Sequence, residues 1–593
     1  MRAGRSLAGV SRIALAVGVA AAGACGLARA DGGLGNGTVA ASSSDTTAAS
    51  TAGSGSAVLN PAASGLETLG GAPPFGSAVR LGNVGTLLNA PQSAGFGGGP
   101  GGSGTGAAPA PYLTIVPSIG ASEQFVTGGS YGANGRSGHE FVTSINPALL
   151  VNGATPRTTF TLEYNPSIQF YSNQPQSNGI NQSLDGVIDA TLLPRSLTVE
   201  ARAYATDQAT SGGLSPGGTS IYNNNNTTLT QSYSVTPSFN DVFRLGTLNL
   251  LYSAQYTRQS GASAYLPGAN QPYFQTNNLF AQTEAGSFTT IPFFERFDDT
   301  PSFSATEDDG TGVLSGAHQY FIADKLRYGL TPYVVLSASG GYEDIAYSGI
   351  PPTLIRDATW SIGTTIRFPE GGVLKARYQH MYGFNSPYIR FDYQLTARTT
   401  LAASYSEVLS TQQQGIGLGV ASSGVNSVGL PVGGLTGQPV LLTNQSLSVQ
   451  SGLTKNKQLS ASLTTQFTRD VVSVSFQSYQ DTLVATSPGL AGFSQKSASI
   501  SLSESHELSE RMNALFYLNY GRTSSPALGA STTSTYGASA ALTYRVSPTL
   551  YANTQISVTN QGYNSFGGGG IGYSGYGNNG VETIFTVGIQ KTF

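Results

Sequence analysis

The densest group of charged side chains in this chain of 593 residues is an acidic run between positions 295 and 309. Carboxylate oxygens are the ligands that Ca²⁺ prefers, but the spacing here does not match a D-x-D-x-D-G calcium-binding loop. We therefore favour a solvated outer loop over a metal site. A loop that folds inward and narrows a pore is a third interpretation. The candidate carboxylates are Glu295, Asp298, Asp299, Glu307, Asp308 and Asp309.

The histidines are the residues best suited to proton transfer near neutral pH, and they are His139, His318, His380 and His506. A hydrolase also needs a nucleophile and an orienting group that converge on the histidine. The strand pattern places His506 in a turn, His139 near a loop at the opposite end of the strands, and His380 within a strand. Because they do not share one level, we predict that the chain is not an enzyme and needs no cofactor.

A third group of charged residues lies on the polar face of neighbouring strands between positions 358 and 396. A charge near the middle of a bilayer costs about 2 to 4 kcal/mol on the lipid face, so we place these side chains inside a barrel. The hairpin around residues 383–386 sets Arg377 nearly opposite Asp392. Two roles stay open: a salt-bridge lattice, which the interleaved charges favour slightly, or a pore lining for anionic solutes or glycans. The group comprises Arg367, Lys375, Arg377, Arg390 and Asp392.

The elements that must position these residues are strands with two unlike faces. In ATWSIGTTIRF (358–368) and YIRFDYQLT (388–396), bulky apolar residues alternate with small or polar ones. Such segments recur from residue 111 to the end. Their length of about 10 to 14 residues suits a tilted membrane strand. Their repetition without a helical period extends well beyond a soluble sandwich domain.

The N-terminus carries an export signal. Basic residues, an apolar run and the sequence Ala28-Arg29-Ala30 predict a secretory signal peptide over residues 1–30, cleaved before Asp31. This cleavage is favoured over acylation of Cys25, because Ala22 is a poor substitute for the leucine of a lipoprotein signal. Cys25 is the only cysteine, so the mature chain has no disulfide, thiolate catalysis or cysteine metal site.

The C-terminal strand alternates and ends on an aromatic residue. One mostly apolar face resembles the signal that bacterial barrel-assembly machinery recognises, which makes that machinery an expected partner. The residues of this assembly signal are Phe585, Val587, Ile589 and Phe593.

Composition supports a chain that meets lipid at every second residue. Charged residues make up 10%, against about 25% in ordinary soluble domains. Beyond residue 30, no apolar stretch reaches the roughly 20 residues of a membrane helix. The net charge of −3 gives no basic excess, so no nucleic-acid partner is expected. Residues 31–110 are rich in Gly, Ala and Ser and predict a disordered linker.

Turn lengths give the topology. With Phe593 in the periplasm, short links such as 193–196, 328–331 and 396–399 fall on the periplasmic side, and long links such as 206–226 and 411–456 fall outside. The sequence therefore predicts an all-β fold, a transmembrane antiparallel β-barrel over residues 111–593 in the outer membrane of a Gram-negative bacterium. We count about 20 strands, within a range of about 16 to 22. The stretches 260–313 and 411–456 could each hide a further pair.

Three phrases carry a family resemblance: SEQFVTGGSYGANGRSGHEFVTSINPALLV (122–151), RTTFTLEYNPSIQFYS (157–172) and ARTTLAASYSEVL (397–409). They resemble outer-membrane β-barrel proteins associated with PEP-CTERM/exosortase systems. The resemblance implies a link to exopolysaccharide or surface-protein export and maps no functional residue. We expect a passive conduit or export channel, because about 16 to 18 strands already enclose an aqueous lumen. The alternative is a plugged structural or docking barrel whose outer loops bind cell-surface material.

Overall fold

The structure is a computed structural model. It describes residues 112–131, 136–173, 175, 178–194, 196–209, 227–261, 263–265, 271–292, 296–369, 371–425, 431–433, 447–525, 530–564 and 580–593. The signal peptide (1–30) and linker (31–110) predicted from the sequence lie outside these ranges. No helix within the described ranges is long and apolar enough to cross a membrane.

The alternating segments form one closed antiparallel sheet of 22 strands. Each strand pairs with its sequence neighbours, and the last strand pairs with the first from Ser118↔Thr592 to Thr127↔Thr583. The strands are β1 Tyr112–Tyr131, β2 Arg136–Ala154, β3 Thr158–Tyr164 with Ser167–Tyr171, β4 Gly179–Asn181 with Ser183–Leu193, β5 Leu197–Ala209, β6 Thr227–Phe243, β7 Gly246–Gly261, β8 Asn277–Thr290, β9 Phe297–Gly310, β10 Ser315–Gly329, β11 Val334–Tyr347, β12 Thr353–Arg367, β13 Gly372–Met381, β14 Phe384–Thr396, β15 Thr399–Thr411, β16 Gly452–Gln466, β17 Asp470–Thr486, β18 Gln495–Ser509, β19 Met512–Ser525, β20 Ala530–Ser547, β21 Leu550–Asn564 and β22 Gly580–Thr592.

The strand count is at the upper end of the predicted range, and the reason is local. The stretch 260–313 does contain a hidden pair, β8 and β9. The stretch 411–456 adds no further pair of barrel strands in its described part. It holds a helix, α1 (Gln412–Ser422), a short hairpin of Ser423–Val425 with Pro431–Gly433, and the beginning of β16.

The two faces of the strands follow the alternation predicted from the sequence. On β12, Ile362 is 67% exposed, whereas its neighbour Ser361 is 9% exposed. On β11, Leu336 and Tyr342 are exposed, whereas Glu343 is fully buried. The outer surface of the barrel is therefore apolar and the inner surface polar, as expected for a barrel in lipid.

Aromatic rings pack against one another on the outer surface of the wall. Trp360, at the midpoint of β12, lies 6.0 Å from Tyr378 by ring centroids. Phe368 packs edge-on against Phe391 and Tyr393 near the end of β12 that carries the short turns. Outward aromatic residues, short turns at one end and longer loops at the other are features of outer-membrane barrels. The fold is that of an outer-membrane β-barrel.

The links at the end where the chain terminates are all short, whereas the long links lie at the opposite end, which confirms the predicted asymmetry. β4 and β5 are joined through residues 194–196, β14 and β15 through 397–398, and β20 and β21 through 548–549. At this end Phe593 donates its backbone N–H to the carbonyl of Pro117, at 2.9 Å. On β22, Phe585, Val587 and Ile589 point outward and are exposed.

Candidate functional site

The helix α1 begins directly after β15 and packs against β5, β6, β7 and β8. These strands lie on the opposite side of the sheet order from β15, so the helix crosses the interior. The link 411–456 leaves β15 at the end predicted from the sequence, but its residues 412–422 form a helix that the sequence analysis did not predict. The apolar residues Ile416 and Val420 of α1 are buried against Tyr204 of β5.

A capping box starts the helix. Thr411 accepts the backbone N–H of Gln414 on its hydroxyl at 3.3 Å, and the Gln414 side-chain oxygen accepts the N–H of Thr411 at 2.9 Å. This reciprocal pair satisfies two donors that a helix N-terminus otherwise leaves open. The T-x-x-Q spacing at 411–414 was therefore a readable sequence signal for a helix start, and the sequence analysis missed it.

The same glutamine fastens the start of the helix to β9 and β11. Gln414 donates from Nε2 to Oδ2 of Asp308 at 2.7 Å, and Tyr347 donates its hydroxyl to Oε1 of Gln414 at 3.2 Å. Gln319 donates to the Tyr347 hydroxyl at 2.7 Å. We call Asp308, Gln319, Tyr347 and Gln414 the latch. All its bonds are side-chain hydrogen bonds in a buried setting beside apolar residues such as Ile345, where each is strengthened by the low dielectric.

The middle of the helix lies against the side chain of Gln255. A Cβ built on Gly417 would lie 1.4 Å from Nε2 and 2.4 Å from Cδ of Gln255, which points inward from β7. Real Cβ atoms do not approach other atoms this closely, so a larger residue at 417 requires the end of the Gln255 side chain to move. Glycine at 417 therefore lets the helix and the Gln255 side chain pack in direct contact.

Further outer segments pack over the mouth of the barrel. Ile350 and Thr486 form a backbone bridge with hydrogen bonds of 2.8 and 3.0 Å, which joins the β11–β12 loop to the end of β17. Asn277 donates to the Ser451 hydroxyl at 2.7 Å. An apolar cluster covers the same region and comprises Tyr273, Phe274, Val449 and Phe493. These contacts tie four outer connections together above the interior.

The inner wall is lined mainly by hydroxyl and amide groups. Inward residues of adjacent strands form hydroxyl–hydroxyl hydrogen bonds at the same level of the wall. Along β6, Thr228, Thr230 and Ser232 are completely buried. The cross-strand pairs include Thr198–Ser238 at 2.7 Å, Ser232–Thr257 at 3.1 Å, Ser339–Ser361 at 2.6 Å, Ser404–Ser460 at 2.8 Å and Ser475–Ser501 at 2.6 Å. Such groups donate and accept hydrogen bonds without fixed charge.

The predicted charged lining lies on the inward face of β12, β13 and β14, but its pairing differs from the expectation. Arg377 stands opposite Tyr388, with its guanidinium 4.7 Å from the ring centroid. Asp392 stands opposite Val373 and is bonded by Arg390 of its own strand at 2.9 Å. The predicted opposition of Arg377 and Asp392 is wrong, because the turn is at Tyr382–Gly383 and not around 383–386. Lys375 lies opposite Arg390, and Arg367 ends β12.

The acidic run is not a loop, which corrects the favoured interpretation. Asp298, Asp299, Glu307, Asp308 and Asp309 belong to β9, and Glu295 lies outside the described residues. Ten strand residues separate the two groups by roughly 33 Å. Asp298 is instead paired with Arg327 at 2.6 Å, and Asp308 belongs to the latch. Within the described residues, no three His, Cys, Asp or Glu side chains are grouped to hold a metal ion.

The histidines are dispersed. His318 lies 3.5 Å from Asp344, His380 lies 3.1 Å from Asp357, and His506 contacts Asp470. These pairs occupy β10–β11, β12–β13 and β17–β18, and His139 is on β2. The structure therefore does not bring the four histidines together.

A buried glutamate that the sequence analysis did not single out as a functional residue holds the β13–β14 turn. Glu343 accepts the backbone N–H groups of Tyr382 and Gly383, each at 2.8 Å. Both turn residues have positive φ, 59° and 70°, which is unusual for a tyrosine. Burial, and then the nearby Glu343 carboxylate, raises the pKa of the Tyr382 phenol well above its ordinary value.

Replacing Glu343 by alanine is expected to destabilise the folded barrel by about 3 kcal/mol, because two hydrogen bonds to a charged acceptor are lost and two amides are stranded. The free energy of unfolding in urea, measured in lipid vesicles, checks this value. Asp344→Asn is the matched control on the adjacent, outward position, where loss of a surface pair costs below about 1 kcal/mol. Equal effects of the two substitutions would show that Glu343 does not hold the turn.

No family model and no curated protein matches this chain. Solved structures that match include the siderophore receptor PirA from Acinetobacter baumannii, at 12% identity over 80% of each chain with a TM-score of 0.41. Another is the FrpB iron transporter from Neisseria meningitidis, at 10% identity over 81% of each chain with a TM-score of 0.42.

A third match is the ferric-catecholate import receptor Fiu from E. coli K12, at 11% identity over 80% of this chain and 81% of that chain with a TM-score of 0.42. By name, all three are receptors or transporters and not enzymes.

Proposed function

We propose that the protein is a gated conduit across the outer membrane and that α1 is the gate. The observation that carries the proposal is the latch, in which Gln414 bonds Asp308 and Tyr347 inside the barrel. An 11-residue helix held by a few polar side-chain bonds and two apolar contacts can leave the wall without unfolding the barrel. A permanent structural plug would bury a larger apolar surface.

The lining favours an uncharged, hydroxyl-bearing solute such as a glycan chain. Hydroxyl pairs such as Ser339–Ser361 and Ser404–Ser460 can exchange their mutual hydrogen bonds for bonds to a sugar. The sequence resemblance to PEP-CTERM/exosortase-associated barrels supports exopolysaccharide as that chain. Outer-membrane lipid and the barrel-assembly machinery complete the proposed partners, the latter through the exposed face of β22.

A second candidate is a closed docking barrel whose outer loops bind cell-surface material. The bridge between Ile350 and Thr486 favours it, because it ties the β11–β12 loop to β17 over the mouth. The packing of Tyr273 against Phe493, at 5.3 Å between ring centroids, stabilises the same cover. In this candidate α1 stays in place, and the inward arginines only stabilise the barrel wall.

Single-channel recording in planar bilayers separates the two candidates. The purified protein is compared with a variant in which residues 412–422 are replaced by a Gly/Ser linker of equal length. We expect brief, small openings for the native chain and larger, persistent openings for the variant, because the helix no longer crosses the interior. If neither protein conducts although both show the gel mobility of folded barrels, the result would favour the docking barrel.

A further inference from the structure

The outer surface of the barrel carries a basic patch at the loop end of β16, β18 and β19. Lys457 stands opposite Gln480 of β17, and Gln480 stands opposite Lys496 of β18. Arg522 of β19 is opposite Ala498, two residues along from Lys496. We call Lys455, Lys457, Lys496 and Arg522 the basic patch. Lys457 and Lys496 are about 10 Å apart at their backbones, because neighbouring strands are spaced by about 4.8 Å.

The alternation shows that this patch faces the lipid side. Lys455 and Lys457 share the parity of Leu459, and Lys496 shares that of Ile500. Leu459 and Ile500 are exposed apolar residues one or two steps nearer the middle of the barrel. Arg522 stands in the same relation to Tyr520, which is also exposed. The cations thus lie at the outer edge of the apolar band, where lipid headgroups begin.

Two contacts hold the lysines of β16 in place. Lys455 lies 2.8 Å from Glu407 and places its ammonium 3.6 Å from the centroid of the Phe384 ring. Lys457 is 3.7 Å from the same carboxylate. Lys496 and Arg522 are exposed. The cations therefore outnumber the carboxylate that they contact, and part of the patch is preorganised.

The opposite part of the outer rim has the other sign. Glu307, Asp309 and Asp344 face outward on β9 and β11, and Arg356 is bonded to Asp344 at 3.2 Å. An anionic headgroup beside the barrel is repelled there and attracted at the basic patch. The asymmetry selects one position on the circumference and is not the uniform charge expected from general membrane affinity.

We propose that the basic patch binds the phosphate groups of an outer-leaflet lipid whose acyl chains lie along Leu459, Ile500 and Tyr520. Phosphate oxygens accept hydrogen bonds from lysine and arginine, and the spacing of the cations allows two or three of them to reach one headgroup. The site lies on the lipid side of the wall and is independent of whether the interior conducts.

The test is native mass spectrometry of the full chain in a detergent with an uncharged headgroup, titrated with diphosphoryl lipid A or with the same lipid after removal of its phosphates. The variant carries Lys457→Gln, Lys496→Gln and Arg522→Gln together. A cation near an anionic surface contributes roughly a fivefold factor, so the triple variant should bind diphosphoryl lipid A on the order of a hundredfold more weakly. Lys455 is retained to preserve its contacts with Glu407 and Phe384.

Arg258→Gln is the matched control, because Arg258 is also exposed and outward at the loop end, on β7. It should bind the lipid like the native chain. Heat-dependent gel mobility confirms that each variant is folded. Equal binding of the phosphorylated and dephosphorylated lipids by the native chain would overturn the proposal. So would undiminished binding by the folded triple variant.

Discussion

An arginine on the lipid side of β14 is expected to prevent assembly of the barrel. Ile389 and Phe391 point outward from this strand, and Ile389 lies near its middle. A charge at that depth costs about 2 to 4 kcal/mol, which lowers the ratio of folded to unfolded chain by about 30-fold or more. We expect Ile389→Arg and Phe391→Arg each to lose most of the heat-modifiable species that marks a folded barrel on gels.

Gln394→Arg is the control on the same strand, because even-numbered residues such as Arg390 and Asp392 face the interior. There a new arginine is a solvated charge, and assembly should stay near that of the native chain. Equal tolerance of all three substitutions would mean that the register has slipped by one residue and that every facing assignment on β14 is reversed.

The face of the strand on which each side chain lies could be predicted, because it depends only on the alternation of residues along that strand. Every second side chain of a strand contacts lipid. Outward residues such as Leu336, Tyr342, Trp360 and Ile362 therefore alternate with small or polar residues in the sequence. The strand number was harder. In β9 the outward positions Glu307 and Asp309 are charged, because this end of the strand reaches the outer edge of the apolar band. These acidic residues interrupt the apolar–polar alternation, so β9 was not recognised as a strand from the sequence.

The register of β13 and β14 was missed because its cause is not local. A two-residue turn with a tyrosine at positive φ has no sequence signature, and the Glu343 carboxylate that stabilises it comes from β11. Only the folded sheet brings that carboxylate to the turn. The predicted pairing of Arg377 with Asp392 failed for this reason.

The helix in the interior was missed for a different reason. Three glycines and a lack of amphipathic pattern in residues 412–422 weaken every periodic signal, and only the capping box remains. Gly417 is explained by the wall it touches and not by the helix that contains it. The sequence alone does not show that Gln255 lies beside position 417.

A disulfide between the helix and the wall is expected to hold the proposed gate shut. In the double variant Gly417→Cys with Gln255→Cys, residue 255 loses the Cδ atom that would lie 2.4 Å from a Cβ at 417. Its removal leaves room for a sulfur atom between the two residues. The chain's only native cysteine, Cys25, is in the predicted signal peptide, so no other thiol competes. We expect conductance to fall close to zero after oxidation, because α1 can no longer leave the interior.

Addition of a reducing agent to the same bilayer should restore openings, since only the cross-link is removed. The conductance of each single-cysteine variant should be unchanged by oxidation. The variant Leu418→Ala should gate like the native chain, because the Leu418 side chain is exposed. If the cross-link forms on gels and the oxidised and reduced proteins conduct equally, α1 is not the gate. Solutes would then have to pass beside a fixed helix. The polar wall, with its hydroxyl pairs and the Arg390–Asp392 bond, would have to leave room for that path.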